Sequence, residues 1–304
     1  MNLQNKKTTA YISLCFVILV WGIGPIFTKE LLSYYSPMAS VLHTSIMGFL
    51  FFFLISIKNL KNLNSTYFKV AVTTGIFYSA ADLMQKVGLD YTTPTRYAFL
   101  ENLSCIIVPI ILFLLIKKRP TVITILASVL CLVSAFILTS PAKDSSVLGI
   151  GIGEILCALA GLCYGVNIAV TGIYAKKLDV KLYLMIQMGV CVIISSASSI
   201  IFNATGIESF EFSFNPKIFM FKCALVLVSS SICWLLRTNA MKHVSPTVVA
   251  VIMPMASVVT AVASVISGKD TLTVALVVGA FLGLVATILS ELGDRPKKQK
   301  NIGG

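Results

Sequence analysis

The chain has 304 residues, of which 57% are apolar and only 12% charged, with a formal net charge of +12. Soluble domains have about a quarter of their residues charged, which excludes a water-soluble globule; the long apolar runs exclude an outer-membrane barrel of short alternating strands. The Lys and Arg residues sit between and after the apolar runs, which is the pattern of membrane topology and not of nucleic-acid binding.

A spanning helix needs about 20 largely apolar residues, and ten such segments follow one another. Lys6 and Lys7 precede the first, 9–31, whose apolar run exceeds a signal-peptide core and reads as a retained span. The second, 38–57, follows the turn Tyr34-Tyr35-Ser36-Pro37 and has His43 as its one ionisable side chain. The third, 68–89, contains Asp82. The fourth, 94–116, opens on Pro94, a favoured first-turn residue, and contains Arg96, Glu101 and Asn102. The basic turn Lys117-Lys118-Arg119-Pro120 leads into the fifth, 121–139. Beyond a polar loop at 140–148, the sixth, 149–174, carries Glu154 and the small-residue packing face Gly161-xxx-Gly165. The seventh is 182–203, the eighth 217–239 with Lys222 inside it, the ninth 246–267 and the tenth 271–291. Gly279-xxx-Gly283 in the last repeats the small-residue pattern and suits either a homodimer contact or internal packing. The tail from 292 to 304 is basic.

Ten spans put both termini on one side. With sides assigned alternately, 17 of the 24 Lys and Arg residues fall with the termini, which predicts a cytoplasmic N-terminus (1–8) and C-terminal tail (292–304) in the cell membrane. The loop 140–148 is then an external linker between two five-helix units, 9–139 and 149–291.

Those units resemble each other. Shifted by 152 residues, Thr93-Pro94-Thr95 falls on Ser245-Pro246-Thr247, Asp82 on Trp234, Gln85 on Arg237, and Asp90 on Lys242. Five spans is an odd number, so the units cross the membrane in opposite directions. The fold class is therefore an all-α polytopic membrane protein of ten transmembrane helices, arranged as two inverted five-helix repeats. Repeats of this kind, with a polar site near their interface, mark secondary transporters.

Trp21-Gly22-xx-Pro25-xxx-Lys29 in the first span, the helix break after Tyr91, Pro254 in the ninth span and the five-plus-five plan resemble the EamA-type branch of the drug/metabolite transporter superfamily. The resemblance implies a central cavity, alternating access and substrates such as amino acids, other small metabolites or drugs, often moved outward. The chain departs from the family pattern at His43, where members often carry Arg, and at Arg96 and Glu101 in a span that is usually apolar.

Charge at membrane depth is costly and usually faces a bundle interior or watery cavity. At about 1.5 Å per helical residue, Asp82 and Glu101 both lie roughly 10 Å below one end of their helices, with Glu154 and His43 about 8 Å deep. Asp82, Glu101, Arg96, Asn102, Glu154 and His43 form the expected substrate or coupling layer, the acids to carry a proton or attract an amino group and Arg96 to hold a carboxylate. The structural alternative is a closed ion-pair network, such as Arg96 with Asp82 or Glu101, that only fixes packing. Trp21, Tyr164, Asn167, Trp234 and Arg237 form a second, cavity-lining group, although Arg237 equally suits a cytoplasmic-side basic residue. Lys29 and Lys86 are expected to snorkel to the surface. The eight cysteines lie in apolar runs without a CxxC pair and read as small buried hydrophobes. No metal motif and no Gly-rich phosphate loop occurs, so no cofactor is expected. The leading function is export of amino acids or related metabolites, possible with proton coupling; the alternative is an intramembrane enzyme acting on lipid or polyprenyl substrates.

Overall fold

A computed structural model describes residues 3–63, 65–139, 151–206, 215–268 and 273–294. Each of the ten expected segments is helical, and no strand occurs among the described residues. Among the described residues, six helical stretches are long and apolar enough to cross a membrane: Asn5–Leu31, Pro37–Asn62, Ile152–Tyr174, Val180–Ala204, Pro216–Ala240 and Pro246–Ile266. Large apolar side chains such as Ile12, Phe68, Phe136, Ile193 and Phe281 point outward, as lipid contact requires. The backbone polar groups are satisfied within the helices. The molecule is a multi-pass membrane protein.

Helix α1 (Leu3–Leu31) contains Pro25, which removes one backbone hydrogen bond inside the helix. Helix α2 (Pro37–Ser56) starts with proline in its first turn, and Ser36 caps it by accepting from the Ala39 amide at 3.3 Å. Helix α3 (Ser65–Tyr91) carries Asp82 and Lys86. The fourth span is not one helix. It divides into α4 (Pro94–Leu100), a 3-10 turn at Glu101–Leu103, and α5 (Ser104–Ile116). Helix α5 ends where Lys117 turns left-handed (φ 55°), which lets the basic turn leave the helix sharply. Helices α6 (Val122–Thr139), α7 (Ile152–Tyr174) and α8 (Val180–Ala204) follow, the last capped by Asp179.

The eighth span is also interrupted. Helix α9 (Pro216–Val226) and α10 (Cys233–Ala240) are joined through a π-helical segment, Leu227–Ile232. The ninth divides at Met253–Pro254 into α11 (Pro246–Ile252) and α12 (Met255–Ile266), and α13 (Val274–Asp294) completes the bundle. Both α4 and α11 have seven residues, and Pro94–Leu100 precedes Pro246–Ile252 by 152 positions at each end. A proline starts each, and each stops where its span breaks.

The closest neighbours are α3 with α7 and α8, α6 with α13, α2 with α8, α1 with α12 and α10, and α5 with α7. One apolar core joins α1, α5, α7, α10 and α11 around Leu14, Val17, Val108 and Val249. A second joins α2, α3, α7 and α8 around Phe52, Tyr78, Tyr183 and Met188. Helix α7 contributes to both. The glycines of α13 pack internally: Ser134 on α6 donates to the Gly279 carbonyl at 2.6 Å, and a Cβ on Gly283 would lie 3.1 Å from the same hydroxyl.

Gly161 lets α7 touch the break in the fourth span. A Cβ there would lie 2.7 Å from the Glu101 carbonyl oxygen and 2.8 Å from that of Leu100. Backbone cannot move aside as a side chain can, so Gly161→Ala is expected to cost about 1–3 kcal/mol. At Gly189 the nearest atom is a Phe49 ring carbon at 3.4 Å, and Gly189→Ala should be close to neutral. Thermal unfolding of the two variants in detergent checks the contrast: equal melting temperatures would mean that α7 does not press on the break.

Candidate functional site

Among these helices lies a cavity of about 120 Å³. Its walls follow helical periodicity. Tyr78, Asp82, Gln85 and Lys86 share one face of α3, and Ser230, Trp234 and Arg237 one face of the π segment and α10. Trp21 and Pro25 of α1, Tyr164 of α7, Tyr97, Glu101 and Asn102 of the broken fourth span, and Pro254 and Ser257 of the broken ninth close the remaining sides. The 152-residue shift pairs Asp82 with Trp234 and Gln85 with Arg237, and all four line this one cavity.

The charged groups have separate partners. Asp82 Oδ1 lies 3.7 Å from Lys86 Nζ, one helical turn away, and Asp82 Oδ2 has no hydrogen bond. Glu101 Oε2 accepts from Gln85 Nε2 at 3.1 Å, and Gln85 Oε1 accepts from the Tyr164 hydroxyl at 2.9 Å. The Gln85 amide therefore joins the acid to the phenol in one chain.

Arg237 is held differently. Its guanidinium lies 3.8 Å from the Trp234 ring centre and 5.5 Å from that of Trp21. Its Nη2 donates to Asn167 Oδ1 at 3.2 Å, and Asn167 Nδ2 donates to the Thr74 carbonyl at 3.1 Å. Tyr183 donates to the Thr74 hydroxyl at 2.8 Å, anchoring the shelf from α8. Arg237 is 2% exposed, and its Nε has no partner. Rings complete the wall: Tyr78 meets Trp234 edge-on at 4.6 Å, and Trp21 lies 5.6 Å from Trp234. The Trp21 indole N–H donates to the Ser229 carbonyl in the π segment at 3.0 Å, which ties α1 to that segment.

The structure brings together Asp82, Glu101, Asn102, Trp21, Tyr164, Trp234 and Arg237, with Asn167 directly behind Arg237. Two expected residues lie elsewhere. Glu154 accepts from the Gly151 amide at 3.0 Å and from Thr92 at 2.7 Å, so it caps the start of α7 and secures the turn before α4. His43 contacts Cys223 at 3.7 Å and the Phe219 ring at 5.4 Å, between α2 and α9. Arg96 lies on α4, but its side chain is outside the described residues.

Two readings change, and one left open is decided. Lys86 does not snorkel: the cavity offers it a carboxylate four residues away, and its side chain is only 15% exposed. Lys29 donates to the carbonyls of Leu89 (2.7 Å) and Asp90, clasping the end of α3 to α1. Arg237 is a buried cavity residue and not a surface cation, because two indoles and Asn167 replace its water. Sequence reasoning missed Tyr78, Lys86 and the serines of the π segment as wall residues. The first two stand four residues either side of Asp82. The signal for the third was the run Ser229-Ser230-Ser231 inside an apolar span.

The EamA-like transporter family model matches the chain twice, at residues 8–140 and 151–292. An uncharacterized transporter from Archaeoglobus fulgidus is 26% identical over 287 residues, spanning 94% of this chain and 87% of that protein. A solved crystal structure superposes with a TM-score of 0.72 at 14% identity, covering 94% of this chain and 97% of the other; this likeness concerns the fold alone.

The Gln85 bridge gives a direct test of the wall. Gln85→Leu orphans the Glu101 carboxylate and the Tyr164 hydroxyl together and should cost more than Tyr164→Phe, at about 1–3 kcal/mol per stranded group against about 1 kcal/mol. Unfolding of the two variants in detergent ranks them. The opposite order would mean that Gln85 does not bridge the two groups.

Proposed function

Since the chain belongs to the EamA-like transporter family, we propose that it is a secondary transporter of small organic solutes, such as amino acids or related metabolites, that exports them by alternating access. The observation that carries this reading is the charged cavity between interrupted helices of both halves of the chain. Interrupted backbone at membrane depth is tolerated where it lines a cavity, and transporters place substrate there.

The two halves work as inverted repeats. Their packing supports an exchange of partners: α3 against α7 is answered by α10 against α1, and α1 against α12 by α7 against α5. Helices α2 with α8, and α6 with α13, pair across the exchange. The equal spacing of α4 and α11 supports the same relation. Rocking of one half on the other opens the cavity to each side in turn. The distribution of Lys and Arg supports cytoplasmic termini in the cell membrane. In that orientation Lys29, on the last carbonyls of α3, belongs to the external gate.

Proton coupling uses Glu101, with Asp82 beside it. An ionised Glu101 accepts from Gln85. A protonated Oε2 donates instead, which reverses the Gln85 amide and turns its Nε2 toward the Tyr164 oxygen. Proton uptake at the break of the fourth span is thereby felt on α7.

Uptake and efflux in reconstituted vesicles, with a metabolite panel and with or without a pH gradient, test this function. Flux of at least one solute is expected; Glu101→Gln and Asp82→Asn should abolish it or remove its dependence on the gradient while the folded yield is kept. Turnover of a lipid with no flux of any solute would overturn the transporter reading, and normal transport by both variants would make the acids structural.

A further inference from the structure

The charges in the cavity are not equivalent. Asp82 already faces the ammonium of Lys86 at 3.7 Å, and Glu101 already accepts from Gln85. Arg237 has no such match: among the described residues no carboxylate lies within salt-bridge distance of it, although Asp82 and Glu101 line the same cavity. It is nonetheless tightly positioned. Asn167 fixes one nitrogen, Trp234 covers one face, and Nε is buried without a partner. A guanidinium immobilised with its Nε edge unmet is prepared for a planar, two-oxygen acceptor, because Nε and an adjacent nitrogen form the fork that fits a carboxylate. The Trp21 and Trp234 rings beside it lower the local dielectric and strengthen that contact.

We propose that the substrate docks by a carboxylate on Arg237, and that this carboxylate, not an amino group, is the required recognition element. The proposal rests on the reading of the cavity as the substrate site. Size narrows the class: an apolar cavity of about 150 Å³ accepts benzene, so the roughly 120 Å³ here suits short-chain carboxylates of about six heavy atoms, α-amino acids of that size included. Asp82 Oδ2 leaves an amino group somewhere to sit, but the acid's charge is already matched by Lys86.

The chain supplies its own reporter. It contains two tryptophans, Trp21 and Trp234, and both line the cavity. Their fluorescence, excited at the red edge of indole absorption, therefore reports on this site alone. The unaltered protein is titrated in detergent with propionate, alanine and alaninamide, all transparent at that wavelength. Propionate and alanine should both change the emission saturably, and alaninamide, which keeps the ammonium but has no carboxylate, should bind at least about tenfold more weakly. Arg237→Lys should lower the affinity for alanine about tenfold and Arg237→Gln about a hundredfold. Alaninamide binding as well as alanine, propionate failing where alanine binds, or no response to any of the three would each overturn the proposal. The ligand comparison needs no variant, so a folding defect at Arg237 cannot blur it. Metabolite flux in vesicles without binding of these carboxylates would leave the transporter reading standing and the carboxylate proposal refuted.

Discussion

Four charged side chains, Asp82, Lys86, Glu101 and Arg237, line one cavity inside a bundle whose outer surface is apolar, and each must be met from within. A buried charge without partners costs several kcal/mol even after relaxation, so their neighbours are fixed by necessity. Asp82 is answered from its own helix, one turn along. Glu101 is answered from α3 and, through Gln85, from α7. Arg237 is answered by an amide and two indoles. These solutions draw in α1, α3, the break of the fourth span, α7 and α10, and they determine which faces of those helices turn inward.

The interrupted backbone follows from the same need. The breaks at Glu101–Leu103, Leu227–Ile232 and Met253–Pro254 all border the cavity. Carbonyls at the breaks take side-chain partners: the Ser229 carbonyl takes the Trp21 indole, and the Pro254 carbonyl takes the Ser257 hydroxyl, whose oxygen in turn accepts from Asn102 at 3.3 Å. Glycines on α7 let the intact helix approach the broken ones. At Gly161 it meets the carbonyls of the fourth span, and at Gly172 a Cβ would lie 2.1 Å from Pro246 at the start of the ninth.

Much of this was legible in the residues. Apolar runs of spanning length gave the helices, because membrane thickness imposes a simple length rule. The prolines at 94 and 246 marked the starts of α4 and α11, since proline suits a first turn. Depth counting brought Asp82 and Glu101 toward one layer. What sequence could not give was rotation. Glu154 and His43 lie at suitable depths, yet one serves as a helix cap and the other faces α9. Depth follows from residue number along a helix, whereas facing depends on which neighbours pack where. The same gap explains Lys86, whose charge suggested the surface, and Arg237, for which cavity and surface both stood open: a carboxylate meets the one and two indoles the other. The 3-10 and π interruptions also escaped notice, because neither contains a proline: they arise from packing.

The π-helical segment has a consequence for how this helix tolerates change in length. A π turn accommodates one residue more than the α-helical path it replaces. An α-helix advances about 100° per residue. Loss of a single serine from Ser229–Ser231 would therefore let this segment wind as α-helix while everything beyond it keeps its orientation relative to α9. A single deletion within α9, which has no residue to spare, would instead turn Trp234 and Arg237 off the cavity wall by about that angle without any change in their identity. The register of this helix, and not only its composition, is thus a chemical property of the site, and an insertion or deletion elsewhere in α9 or α10 would act on it as strongly as a substitution of the arginine itself.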